Sequence, residues 1–340
     1  MKRIAQDIKN GEFSHLYLLY GEEAYLRRQY RDNLRAALVP AEDTMNCSVY
    51  SGKDINAGEV IDLAGTMPFF ADRRVIIIEN SGWLKSGNDQ ILALVKAIPD
   101  TTYLIFVEEE TDKRSKLYKA VTANGYAALC EMQDEATLKK WVMGLLKKEN
   151  KLITPDALNL LLDKTGTNME NIRREVEKLV CYKYYDEGIT AADVEELCIV
   201  QIQNQIFDMV EAVAQKKQKQ ALKLYYNLLA LKEAPMKILA LVARQFHMLL
   251  QVKEMKTKGY HESDIAKQTG LNPYYLKKKY IPQSAQFKLY QLETALRACV
   301  EAEEAVKTGR MPDMLSVELI IISLSAEQIK NSDSLVERSV

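Results

Sequence analysis

A glycine followed by a lysine is where phosphate chemistry would show first, because backbone amides and an ammonium together hold a nucleotide's phosphates. The sequence has one such pair, Gly52-Lys53, followed by Asp54 and without the glycine that a G-x-x-x-x-G-K-[ST] loop needs upstream. At Gly21-Glu22-Glu23 two carboxylates stand where phosphates would need positive charge; they suit a helix N-terminus instead. Glu79 and the run Glu108-Glu109-Glu110 are the acids that could imitate a magnesium ligand. Without a phosphate cradle they read as ordinary loop acids. His15, His247 and His261 stand apart, with no cysteine or carboxylate pattern converging on them. The five cysteines are scattered, odd in number and free of paired spacing, as expected of reduced thiols in a cytoplasmic protein without a metal site. No catalytic residue, cofactor site or metal site is expected.

The remaining unusual stretch is Met67-Pro68-Phe69-Phe70-Ala71-Asp72-Arg73-Arg74, followed at once by Val75-Ile76-Ile77-Ile78. It lies between a short helical pattern and a buried-strand pattern, and such junctions lie at the surface. Two adjacent phenylalanines there read either as local core, the usual fate of large apolar residues, or as a contact for a partner. Arg73 and Arg74 read as solvated support at the start of the strand.

The elements around these residues alternate. Apolar runs at residues 16–20, 45–50, 74–78, 103–107 and 126–130 predict strands. Helical patterns over 22–38, about 56–64, 90–98 and 112–123 separate them. Such alternation implies crossover connections and a mostly parallel sheet covered on both faces. From about Asp134 the period changes to helical stripes: Leu138, Trp141, Val142, Leu145 and Leu146, then Leu158, Leu161 and Leu162, then Met169, Ile172, Val176 and Leu179. Thr154-Pro155-Asp156 is a helix start, and Thr190 to Asp193 has the spacing of a capping box. The polar run Gln201 to Gln205 reads as a connection, with several more helices from Ile206 to about Gln328.

At 340 residues, 47% hydrophobic, the chain can bury a large core in two or three domains. A net charge of −1 excludes a polybasic nucleic-acid binder. No apolar run is long enough for a signal peptide or a membrane span. Locally, residues 212–280 carry fourteen Lys or Arg against four Asp or Glu, which reads either as a solvated helical surface or as a contact for phosphates. Within it, Ala266, Gly270 and Leu276 fall at the offsets of a helix-turn-helix corner. The DNA contacts such a corner would offer are Lys267, Tyr274, Lys277 and Lys278.

Taken in order, these pieces resemble the delta subunit of bacterial DNA polymerase III, a clamp-loader component. The resemblance runs over nearly the whole chain. It includes Leu16 to Glu23, Met67 to Ile78, Asp112 to Lys119, the segment Gly166 to Leu179, and Pro235 to Lys253. It implies an AAA+-like α/β domain without a functional phosphate loop over residues 1–133. A small helical lid over 134–205 and an all-α collar for oligomerisation over 206–340 would follow. It also implies a plug: Met67, Pro68, Phe69 and Phe70 match the element that enters a hydrophobic pocket on the beta sliding clamp, with Phe where Leu is common. The implied partners are that clamp, the other clamp-loader subunits of a hetero-pentamer, and primer-template DNA within the assembly. The chain would open the clamp without hydrolysing ATP itself, as part of a DNA-directed DNA polymerase (nucleotidyltransferase) holoenzyme. Two rival readings are an active AAA+ ATPase with a degenerate loop and a helix-turn-helix DNA-binding regulator using Ile265 to Leu276.

Overall fold

The computed structural model describes residues 2–198, 200 and 202–326, and these divide at Gln133 and Asp134 into two compact units. The first holds five strands: β1 (Leu16–Tyr20), β2 (Cys47–Ser51), β3 (Arg74–Glu79), β4 (Thr102–Glu108) and β5 (Tyr126–Leu129). They form one sheet in the order β2-β3-β4-β1-β5, with every neighbouring pair parallel. Central strands buried on both faces need apolar side chains at every position, and β1 and β4 are buried along their whole length.

Alternate residues of each strand feed opposite cores. Leu16, Leu18, Ile76, Ile78, Leu104 and Phe106 meet Val60, Ala64, Ile91, Leu94, Leu117 and Val121 from the helices Ala57–Ala64, Asp89–Lys96 and Lys116–Asn124. On the other face Tyr17, Leu19, Val75, Ile77 and Ile105 meet Ile4, Leu34 and Leu38 from the helices Lys2–Asn10 and Ala24–Leu38. β2 starts at Cys47 because Asn46, expected within that strand, is turned to another task described below.

The second unit is helical from Glu135 onward. Its first helices, Glu135–Lys148, Pro155–Thr165 and Met169–Tyr182, are each capped by a side chain (Asp134, Thr154 and Asn168). Two parallel two-residue strands, Leu152–Ile153 and Gly188–Ile189, tie the unit together; they are too short to show a period in sequence. The run expected as a connection is helical from Ile202 within the helix Ile202–Ala214. Glutamine is a good helix former, and Ile206, Met209, Val210 and Val213 give that helix a buried stripe. Beyond it, the helices Gln218–Ala230, Pro235–Thr257, Leu289–Lys307 and Asp313–Ser325 pack around Tyr225, Phe246, Leu249, Leu292 and Ile321. Among the described residues, no helix is long and apolar enough to cross a membrane.

Candidate docking site

The segment before β3 presents its apolar side chains outward. Met67 is 77% exposed, Phe69 55% and Phe70 95%, and Pro68 is half-buried. The local-core reading of the two phenylalanines is therefore set aside by the structure. Their rings meet edge to face, with centroids 4.6 Å apart, an arrangement favoured by the ring quadrupoles. Phe70 holds φ at +48°, a left-handed conformation that costs a bulky side chain on the order of 1 kcal/mol or more. Such strain persists where surrounding bonds over-determine the backbone.

Those bonds come from beneath. The Phe69 N–H donates to Asn46 Oδ1 at 2.6 Å, and Asn46 Nδ2 donates back to the Phe69 carbonyl at 2.9 Å. Asn46 is 1% exposed. Its Nδ2 also donates to Asp43 Oδ2 at 2.7 Å, while Asp43 Oδ1 takes the N–H groups of Asn46 and Met45. These amide bonds, led by that of the Asn46 side chain, hold the Asp43 carboxyl below the usual carboxylate range. Arg74 donates to the Met67 carbonyl at 2.9 Å. It is buried, not solvated as the sequence suggested, because β3 draws it into the sheet and Met67 gives its charge a partner. Arg73 lies over the rings of Phe13 and Tyr103, at 5.2 and 5.7 Å.

In a parallel sheet this element, feeding the start of β3, is at the opposite end from the carboxyl ends of the strands, where ligands of such sheets bind. There the turn after β1 is filled by the protein's own groups. Gly21 takes φ +122°, and a Cβ on it would stand 2.5 Å from the Cys130 carbonyl oxygen. Glu23 is buried and caps the helix Ala24–Leu38, accepting from the Tyr25 N–H at 3.0 Å. Three of the four acids considered as magnesium ligands have protein partners, and the fourth, Glu109, is exposed. Glu79 pairs with Arg31, Glu110 with Lys85, and Glu108 accepts from Ser81 and Gly82. Burial pushes the Glu108 carboxyl up, against the pull of the Ser81 and Gly82 bonds and of the Arg27 charge.

Three of the five cysteines, Cys130, Cys198 and Cys299, are buried. Burial pushes the Cys130 thiol up to about 11 and those of Cys198 and Cys299 to about 12. His15 is held by the Thr102 carbonyl at 3.0 Å and stacks on Tyr103.

The helix-turn-helix spacing produces a corner but not a free recognition helix. Gly270 ends the helix Glu262–Thr269 with φ +68°, as the spacing anticipated. The chain then passes through the short turn Pro273–Tyr275 into a π-helical segment, Leu276–Tyr280. Of the expected DNA contacts, Lys278 donates to Asp163 Oδ1 at 2.9 Å and to the Tyr274 hydroxyl at 2.7 Å. Tyr275 accepts from the Thr167 N–H at 2.8 Å, and Lys279 donates to Asn204 Oδ1 at 3.2 Å. Lys267 and Lys277 are exposed.

Two family models divide this chain between them. The description "DNA polymerase III, delta subunit" matches residues 17–131, and its C-terminal domain matches residues 203–324. The chain belongs to the DNA polymerase III delta-subunit family. Among its delta relatives, the Bacillus subtilis DNA polymerase III subunit delta is 27% identical over 338 residues, covering 96% of this chain and 97% of that protein. The Escherichia coli subunit delta is 24% identical over 244 residues, covering 70% of each. The solved Bacillus subtilis DNA clamp loader delta protein superposes with a TM-score of 0.77 at 26% identity, covering 95% of this delta chain and 99% of its own. The sequence had pointed to the aromatic pair of this delta subunit but not to Asn46, which lies 23 residues upstream of the residue it holds. A polar asparagine within the run read as a strand at 45–50 is the signal that could have raised it.

Proposed function

We propose that this delta subunit binds the beta sliding clamp through Met67, Pro68, Phe69 and Phe70, and opens it for loading onto primed DNA within a hetero-pentameric clamp loader. The observation that carries the reading is an aromatic pair exposed to solvent while its backbone is bonded from below. Soluble proteins rarely leave such a cluster uncovered without a partner. Burying each ring in a pocket contributes roughly 2–3 kcal/mol before the costs of association, enough for two aromatic anchors to dominate an interface. That energy opens a clamp only if the open form is bound more tightly than the closed one.

In this reading the chain hydrolyses no ATP. The buried Glu23 carboxylate and the close approach of Cys130 to Gly21 support that assignment, since a phosphate there would meet negative charge and a closed turn. Residues 1–133 act as the clamp-contacting domain, 134–205 as a lid, and the helices beyond as the collar that meets the other subunits. This stretch meets primer-template DNA through the exposed Lys267 and Lys277, because Lys278 is engaged with the Tyr274 hydroxyl and with Asp163.

The test is co-elution of the purified chain with purified sliding clamp on size exclusion, alongside titration with a fluorescent ATP analogue. The proposal expects a stable clamp complex and no nucleotide binding. Tight ATP binding by the isolated chain would favour the ATPase reading. Sequence-specific binding of a short duplex, lost in Tyr274 or Lys277 variants, would favour the regulator reading.

A further inference from the structure

We propose that Asn46 is the positioning residue of the clamp-docking element; this rests on the reading of Phe69 and Phe70 as the clamp contact. A buried side-chain amide needs partners, and Asn46 turns both its oxygen and its nitrogen to Phe69. Oδ1 accepts from the Phe69 N–H and Nδ2 donates to the Phe69 carbonyl. Taking both the N–H and the C=O of one residue is what a neighbouring strand does in a ladder. It fixes the peptide planes on either side of Phe69, and with them the direction of its side chain and the start of Phe70.

The clamp residue is itself fastened. Its main-chain N–H donates to Asp43 at 2.9 Å, its carbonyl accepts from the Val75 N–H at 2.8 Å, and Asp43 receives the second Nδ2 hydrogen. The aromatic pair is thus tied through one side chain to the start of β3, beside the edge strand β2. The site needs an acceptor and a donor on one short side chain. A carboxylate at this position accepts from Phe69 but cannot donate to its carbonyl or to Asp43, and an alanine does neither.

Holding the rings in place before binding removes an ordering cost for each immobilised side chain. Two rings correspond to a gain in affinity of about tenfold. The experiment measures clamp affinity for the full chain as wild type, Asn46→Ala, Phe69→Ala and the two combined, with thermal unfolding of each. A positioning role predicts about tenfold weaker binding for Asn46→Ala and little further loss when it is added to Phe69→Ala. A merely structural role predicts the same fold-loss in both backgrounds, and that result overturns the proposal, as does wild-type affinity for a folded Asn46→Ala. Should Asn46→Ala be unfolded at the assay temperature, Asp43→Ala carries the test, with a smaller loss expected in the same direction and again absent in the Phe69→Ala background. Wild-type binding by Phe69→Ala/Phe70→Ala would instead remove the underlying clamp reading.

Discussion

The Arg74 guanidinium donates to the Met67 carbonyl at 2.9 Å, joining the first residue of β3 to the residue that opens the exposed aromatic element. The Arg74 Nε is buried without a partner among the described residues. The side chain therefore gains one bond and leaves one donor unmet. Arg74→Met keeps most of the stem and removes both, so we expect it to cost only about 1 kcal/mol, whereas Arg74→Ala should cost about 2–3 kcal/mol through the added cavity. Urea unfolding of the two variants separates these effects.

Gly21→Ala tests the closed turn after β1. The backbone there is in a region that side chains avoid, and the obstacle to a Cβ is the Cys130 main chain, which also receives the Glu23 N–H at 3.0 Å. A loss of about 2 kcal/mol or more is expected. Unfolding at wild-type denaturant concentration would show that the turn can open.

The Asp43 carboxyl gives the docking element a pH dependence of defined sign. Its folded value is depressed below the ordinary 3.8 by the Asn46 bonds. The group therefore contributes stability that is complete above pH 3.8 and is lost as pH falls through the lower folded value. Asp43→Asn should be less stable than wild type at pH 7, and the two should converge below pH 3.8 in urea titrations. A constant difference down to pH 3 would contradict the assignment.

Within the helical unit, two contacts join the π-helical segment and the turn before it to the early helices, and they differ in weight. Lys278 and Asp163 are both near half-exposed, so their ion pair should be worth about 0.2–1 kcal/mol and weaken with salt. Tyr275→Phe leaves the Thr167 N–H without its hydroxyl partner and should cost about 1–3 kcal/mol, insensitive to salt. Lys278→Ala exceeding Tyr275→Phe in unfolding experiments would reverse this ranking.

Much of the fold was legible because its central strands are buried on both faces, and Leu16 to Tyr20 or Tyr103 to Val107 can then only be continuous apolar runs. Helix starts at Thr154 and Thr190 were legible because capping is local, whereas at Asp134 the change of period alone marked the boundary. What escaped was set by distant partners. Arg74 is buried by a bond to Met67 and by the sheet, while charged residues alone read as solvated. Asn46 acts on Phe69 across 23 residues, beyond any local pattern. The corner at Gly270 was visible, yet the π-helical turn after it depends on Thr167, Asp163 and Asn204. The aromatic pair stood out by type and place, but its exposure had to come from the folded chain.

The central claim is tested most directly by calorimetric titration of the sliding clamp with wild-type chain and with Phe69→Ala/Phe70→Ala. Loss of two anchors worth about 2 kcal/mol or more each predicts affinity weaker by about 1,000-fold, with an unchanged thermal midpoint. Equal affinity of the folded double variant and the wild type would contradict the account.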